Sequence, residues 1–327
     1  MQTPEFWHRD CTAARVYSPL GWIYAAIGNM RRRLAKPYRA AMPVICVGNV
    51  VAGGAGKTPV CLALGAWCRA RQLAPVFLGY GYGGLYGGPL VVDPHLHTAL
   101  QIGDEALLLT RAGVTIIGSD RAGCARLAEG EGADVIVMDD GFQNPYLHKD
   151  LSLLVLDGEY GLGNGRLIPA GPLRERLDTG LARADAVVFY GQDRHNLRAQ
   201  IPADKPILGA RLVPDAAQMA QLQGKNLIAF AGIGRPQKFY DLLRAAGQNV
   251  LATYDFPDHH FFHSSEIVLM QQTAEAKGAV LVTTAKDWVR LDQPLREVAT
   301  PIDVELVWDN PALVDQLLQR VLPAASI

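Results

Sequence analysis

The clearest chemical signal in the chain is Gly53-Gly54-Ala55-Gly56-Lys57-Thr58. Glycines let successive backbone N–H groups turn toward phosphate oxygens, and a helix starting there adds its partial positive charge. Lys57 would reach the β- and γ-phosphates of a nucleotide, and the Thr58 hydroxyl would sit on Mg²⁺. The context agrees: residues 44–47 are an apolar run, and a helical pattern follows from about Lys57 to Arg71. Residues Val51, Ala52, Gly53, Gly54, Ala55, Gly56, Lys57 and Thr58 are therefore the candidate nucleotide-binding set. The spacing departs from the usual phosphate loop, because the position five before Gly56 is Val51 rather than glycine. A branch of ATPases with a GGxGKT loop carries an extra lysine where this chain has Ala52. A chance glycine turn is the competing reading.

A second signal is Val135-Ile136-Val137-Met138-Asp139-Asp140. Four apolar residues bury a strand and deliver carboxylates to its C-terminal end, where open α/β sheets bind ligands. Asp139 and Asp140 are thus candidate Mg²⁺ ligands beside Thr58; the bland alternative is a turn capped before Gly141. Asp258-His259-His260 admits three readings: a metal cluster, an Asp–His pair that helps remove a hydroxyl proton, or a cap. Gly79-Tyr80-Gly81-Tyr82-Gly83-Gly84 is either a second phosphate-facing loop or a flexible turn. Arg174-Glu175 reads by itself as an exposed ion pair.

These residues need a scaffold, and the pattern supplies one. Short apolar runs at 75–78, 114–118, 135–138, 153–156 and 186–190 alternate with helical or loop stretches. That alternation predicts an α/β fold with a P-loop NTPase-type, mostly parallel sheet covered by helices. Residues 201–206 carry two prolines and mark a boundary. Beyond it lies a second, smaller α/β unit: strands at 226–231, 280–283 and 302–308, and helices at 236–246 and near 286–291. An amphipathic helix opened by Asn310-Pro311 ends the series and is a candidate to pack back on the first unit. The expected domains are an amphipathic segment at 1–40, a nucleotide domain at 41–200 and a smaller domain at 201–327.

The first segment has its own character. Residues 18–35 read as a helix capped by Ser18 with Pro19 at its first turn. Leu20, Ile23, Ile27, Met30 and Leu34 form one stripe, flanked by Trp22 and Tyr24 and closed by Arg31, Arg32 and Arg33. The stripe is too short to span a bilayer, so the helix either lies in a membrane interface or packs on its own domain.

The chain has 327 residues, a formal charge of −1 and 49% hydrophobic residues, an ordinary globular balance with ample core. No acidic residue falls between Asp10 and Asp93, a stretch that holds nine lysines and arginines. This asymmetry predicts an anionic partner at the N-terminal end. Five cysteines are scattered without metal-ligand spacing, which fits a reducing compartment. Residues 1–10 lack an apolar signal-peptide core, so the expected location is the cytosol or the cytosolic face of a membrane.

Taken in order, the motifs resemble the tetraacyldisaccharide 4′-kinase family of Gram-negative bacteria. The resemblance rests on Val47-Gly48-Asn49 leading to Gly53–Thr58 and Pro59, then Gly81-Tyr82-Gly83-Gly84 and Gly103-Asp104-Glu105. It continues through Asp139-Asp140-Gly141-Phe142-Gln143, Gly163-Asn164-Gly165 and Pro169-Ala170-Gly171-Pro172-Leu173-Arg174-Glu175. It ends with Ala231-Gly232-Ile233-Gly234, Asp258-His259 and Lys286-Asp287. The family's phosphate loop has the same displaced first glycine. The resemblance implies transfer of the γ-phosphate of ATP, with Mg²⁺, to the 4′-hydroxyl of a lipid A disaccharide precursor. It also implies a peripheral seat on anionic lipids of the cytoplasmic face of the inner membrane. No obligate protein partner follows from it. By resemblance, Asp104 is the candidate base, paired with His259; Lys57 joins them in catalysis; and Arg121, Arg174 and Glu175 line the site. Tyr80 and Ala285 stand where the family usually has arginine and glutamate.

Two other classes compete. A P-loop ATPase or GTPase switch, or a metallochaperone, accounts for the phosphate loop and Asp139 but leaves the basic amphipathic start unexplained. A guanine-reading motif is not evident, since Lys286-Asp287 follows Thr284-Ala285 rather than asparagine, so ATP is the expected nucleotide. Nucleic acid is not expected as a partner, because no binding motif accompanies the basic stretch.

Overall fold

The computed structural model describes residues 4–53 and 56–322. Gly54 and Ala55 of the candidate loop lie outside the described residues. Among the described residues, thirteen strands form two sheets. The strands are β1 (Val44–Gly48), β2 (Pro75–Gly79), β3 (Leu90–Val91), β4 (Thr115–Ile117), β5 (Val135–Asp139), β6 (Leu151–Asp157) and β7 (Ala186–Tyr190). They continue as β8 (Ile207–Pro214), β9 (Asn226–Ala231), β10 (Asn249–Asp255), β11 (Ala279–Thr284), β12 (Thr300–Ile302) and β13 (Val304–Trp308).

The larger sheet has nine strands in the order β13-β8-β7-β6-β1-β5-β2-β4-β3. Its pairings are parallel except β13 with β8 and β3 with β4. Strands β1, β2, β5, β6 and β7 are buried at every position. A parallel sheet covered on both faces needs such continuous apolar runs. The smaller sheet is β10-β9-β11-β12, all parallel. The expected class, a mostly parallel P-loop-type sheet with a smaller α/β unit, is the class found.

The path between the sheets differs from the expected one. Strand β8 lies beyond the prolines at 202 and 206, yet it pairs with β7 in the larger sheet. The chain changes sheets after Pro214 instead. The segment 302–308, expected as one strand, is divided between two: β12 closes the smaller sheet and β13 returns to the larger one. Asp303 is the pivot. Its backbone carbonyl accepts from Asp215 N–H at the outgoing crossing, and its carboxylate takes both Arg111 guanidinium donors at 2.6 and 2.7 Å. The terminal helix Pro311–Leu318 packs Val314, Leu317 and Leu318 against Val60, Leu64 and Cys68 of the helix after β1.

The first long helix also differs. It runs Thr12–Leu34, so Pro19 sits inside it and Ser18 is not its cap. The Ser18 hydroxyl donates to the Ala14 carbonyl at 2.9 Å, an ordinary use of serine within a helix. The helix rests on the protein through small residues: Ala14 and Gly21 are buried, and a Cβ on Gly21 would press on Leu167. The stripe faces outward instead. Trp22 is 71% exposed and Ile23 56%, and Leu20, Ile27, Met30 and Leu34 are exposed as well. Packing on its own domain therefore does not explain this stripe. Among the described residues, no helix is long and apolar enough to cross a membrane.

Candidate active site

The phosphate loop leaves the C-terminal end of β1, the strand flanked by β5 and β6 in the middle of the larger sheet. Val51 bridges Leu173, and the Ala52 N–H bonds the Pro172 carbonyl at 2.8 Å. The run 169–175 thus holds the loop's first arm. Gly53 and Gly56 have φ of 111° and 72°, which side-chain-bearing residues rarely adopt. Gly56 is doubly required, because the Tyr190 hydroxyl occupies the space a Cβ would need. Lys57 and Thr58 open the helix Lys57–Arg69, and both are buried.

Around this loop the structure gathers the predicted carboxylates. Thr58 Oγ1 donates to Asp139 Oδ2 at 2.9 Å. The Lys57 ammonium lies 3.6 Å from Asp140 Oδ1 and 3.5 Å from Asn49 Oδ1. Arg174 donates to Asp140 Oδ1 at 2.7 Å, so Arg174-Glu175 is not the exposed pair its sequence alone suggested. Burial pushes the Asp139 carboxyl up to about 7, and Glu105 adds to the effect; Lys57 opposes it. Asp140 is only partly buried; desolvation raises its carboxyl, but Lys57 and then Arg174 hold it below the usual value. Its φ of 55° is left-handed for a non-glycine residue.

Asp139 Oδ1 is buried and has no hydrogen-bond partner among the described residues. An orphaned carboxylate oxygen costs several kcal/mol unless a cation or water takes it. With a threonine hydroxyl on its other oxygen, Asp139 fits the donor set of a hard, oxygen-seeking divalent ion.

The remaining predicted residues brace this centre. Arg121 is fully buried. One of its amino groups bonds the Gly79 carbonyl and the other reaches the Asp139 carbonyl at 3.4 Å. The Tyr80 ring lies 5.5 Å from its guanidinium carbon. Glu175 takes Arg183 through two bonds of 2.7 and 2.8 Å and accepts from Gln143 at 2.8 Å. Gln143 also donates to the Asn49 carbonyl, so Glu175 acts one residue behind the cavity wall.

A second cluster lies where the two sheets' units meet. Asp104 begins the helix Asp104–Thr110 and is 4% exposed. Its Oδ2 lies 3.0 Å from His259 Nδ1, so the predicted pair is in contact although 155 residues separate its members. Arg290 donates to the same oxygen through Nε at 2.6 Å and through Nη2. Lys286 stands 4.0 Å away, and the Glu105 N–H bonds Oδ1 at 2.8 Å. Burial alone would raise the Asp104 carboxyl. The hydrogen bond from His259, then Lys286 and Arg290, hold it well below the usual carboxylate range instead.

His259 Nδ1 also lies 3.3 Å from Arg290 Nη2. An ionised carboxylate can only accept, so the 3.0 Å contact with Asp104 puts a hydrogen on Nδ1. In the neutral imidazole Nε2 is then the open acceptor. His259 has φ of 60°, a conformation that costs about 1–2 kcal/mol in a non-glycine residue. Its N–H bond to the Gly232 carbonyl at 3.1 Å helps to hold it.

The neighbours of His259 have simpler roles. His260 pairs with Glu266 at 3.0 Å and stacks on Phe256. Asp287 caps a helix with Thr284. Among the described residues, no group of three metal-binding side chains is found, so the metal reading of the Asp-His-His run gains no partner. Arg290, Asn49, Gln143 and Tyr190 were not singled out from sequence. Asn49 and Gln143 at least close quoted motifs; Arg290 carries no local signal.

A cavity of about 400 Å³ opens on the β5 carboxylates. Asp139, Asp140, Arg174, Glu105 and Tyr82 line it, together with Tyr24 and Arg31 of the exposed helix. A glycine loop at the end of a central parallel strand, with a threonine–aspartate contact behind it, defines a P-loop nucleotide-binding protein. Comparisons with known proteins narrow the class. The family model described as tetraacyldisaccharide-1-P 4′-kinase matches residues 13–322. The chain is 48% identical to the tetraacyldisaccharide 4′-kinase of Rhodospirillum rubrum, over 99% of this chain and 100% of that protein. It is also 48% identical to the one from Paramagnetospirillum magneticum, over 98% and 99%. A crystal structure of LpxK from Aquifex aeolicus in complex with ATP superposes with a TM-score of 0.78 at 26% identity, covering 94% of this chain and 99% of that one. The chain belongs to the tetraacyldisaccharide 4′-kinase family, kinases of lipid A biosynthesis.

Proposed function

We propose that this chain transfers the γ-phosphate of MgATP to the 4′-hydroxyl of a tetraacyldisaccharide 1-phosphate, drawn from the cytoplasmic face of an anionic inner membrane. The cavity carries the reading: Tyr24 and Arg31 of the helix with the outward-facing apolar stripe line it together with Asp139 and Asp140 at the end of β5. A lipid lying among Leu20, Ile23 and Ile27 would present its sugar to Asp139 and Asp140, and Arg31 on the cavity lining suits a phosphate headgroup.

Each residue has a definable task. Lys57 neutralises the β- and γ-phosphate oxygens while charge moves between them. Thr58 and Asp139 would hold Mg²⁺ with Asp140 beside them, and the ion would supply charge neutralisation across the phosphates. Arg174 fixes Asp140, and Arg121 fixes the end of β5. The hydroxyl oxygen attacks the γ-phosphorus as the bond to the ADP oxygen breaks. The hydroxyl proton passes to the Asp104–His259 pair.

A direct test is transfer of radiolabel from γ-labelled ATP to a membrane-dispersed tetraacyldisaccharide 1-phosphate. The expected result is one labelled phosphate per disaccharide at the 4′ position. Hydrolysis of ATP with no labelled lipid would reject the reading in favour of an ATPase switch.

A further inference from the structure

We infer that Arg290 is a positioning residue of the proton-accepting pair: it clasps Asp104 from the smaller sheet's unit and holds it as an oriented, ionised acceptor for His259. The inference rests on the proposed function for the identity of the proton donor, but its geometry does not depend on it.

Arg290 and Asp104 are 186 residues apart and almost fully buried, at 6% and 4% side-chain exposure. The guanidinium uses every face. Nε and Nη2 go to Asp104 Oδ2, while Nη1 takes the Asp287 carboxylate and the Gly232 carbonyl, each at 2.8 Å. That Gly232 carbonyl is the one that accepts the backbone N–H of His259. Arg290 therefore grips both members of the pair, one through its carboxylate and one through the loop that carries it. Asp287 in turn is fully buried and tied to Thr284, so the clasp has a rigid base.

The electrostatics follow from the neighbours. Asp104 faces Arg290, Lys286 and His259, and its chain neighbour Glu105 is paired with Lys286 at 3.2 Å. His259 faces Asp104 and Arg290, with Asp258 3.8 Å from its Nε2. Asp287 faces Arg290. Two charge-assisted bonds on one oxygen favour the carboxylate strongly over the acid. With Arg290 neutralised, Lys286, half-buried and shared with Glu105, would remain as the nearest lysine or arginine cation, and the proton affinity of Asp104 would rise. Misplacing the pair by about 1 Å would also cost about 100-fold in rate.

The test is the pH dependence of kcat for phosphoryl transfer to vesicle-dispersed tetraacyldisaccharide 1-phosphate, in wild type, Arg290→Gln and Arg290→Lys. Arg290→Gln should lose about 100-fold in kcat with its KM for ATP unchanged, and its acid limb should move to higher pH. Arg290→Lys restores the charge but cannot fork, so its acid limb should return toward wild type while kcat stays depressed. The lysine variant carries the same test should the glutamine variant not fold. A residue that only supported the fold would lower the folded fraction without moving the acid limb. Folded variants with wild-type kcat and an unmoved acid limb would overturn the inference. Failure of wild type itself to label the lipid would instead strike the functional reading.

Discussion

Thr58 Oγ1 donates to Asp139 Oδ2 at 2.9 Å across 81 residues of chain, which locks the start of the phosphate-loop helix to the end of strand β5. The two halves of a nucleotide site are thus joined inside the protein by one hydroxyl. The other oxygen of Asp139 is left facing inward without a protein partner among the described residues.

This arrangement sets the outcome of changes at the loop. Lys57→Ala should lower kcat by about 100- to 1,000-fold, the usual cost of removing one donor from a preorganised anionic site. Thr58→Ala should keep part of the activity but raise the Mg²⁺ concentration needed for half-maximal rate. Steady-state kinetics over a Mg²⁺ titration checks both. Near-normal turnover by folded Lys57→Ala would mean that the phosphates sit elsewhere.

The pair at the meeting of the two units should behave as one device. Asp104→Ala and His259→Ala should each depress kcat strongly and leave ATP binding largely intact. The double variant should be little worse than the poorer single one, because groups that act as a unit are not additive. Fully additive losses would separate the two roles. Lost thermal stability with normal kcat in the folded fraction would reduce His259 to a turn former.

Asp104 also makes a prediction about stability. Its carboxyl is held below its ordinary value of 3.8 in the folded chain, so the ionised form contributes stability above that pH. The contribution is lost as pH falls below 3.8 toward the depressed folded value. Asp104→Asn removes one of the two carboxylate charges that the buried Arg290 faces, and should cost about 3–5 kcal/mol near neutral pH. The gap from wild type should narrow below about pH 4. Urea unfolding at pH 6 and pH 3.5 measures it, and a gap that widened in acid would contradict the ion-pair account.

The exposed helix can be tested without touching the site. Arg32 is a poor choice, since it lies 3.8 Å from Glu175 and its change would reach the cavity wall. Trp22→Ser with Ile23→Ser removes two outward side chains worth about 1.5–3 kcal/mol each if buried in lipid. The double variant should bind anionic vesicles at least tenfold more weakly with an unchanged Tm. Arg33→Gln should cost about 1 kcal/mol, and added salt should mimic it. Equal vesicle binding by all of these proteins would remove the membrane from the proposal.

Much of this protein is decided locally, and that part is legible in the amino-acid order. The glycine loop needs its glycines because Gly53 and Gly56 take positive φ, and the apolar run before Asp139 reads as a strand because both of its faces are covered. Other features are decided by pairing across long separations. The segment 302–308 reads as one strand, yet hydrogen-bond partners in two different sheets divide it at Asp303. Pro19 suits a first turn by its own geometry, but small residues at 14 and 21 let the helix lie on the protein from Thr12 onward. The outward direction of the apolar stripe is set by which face those small residues occupy. Arg290 has no motif around it; only the return of the smaller sheet's unit against the helix Asp104–Thr110 brings its guanidinium to a carboxylate 186 residues away. Burial of both charges then makes their contact a strong constraint, and that burial is a property of the assembled fold.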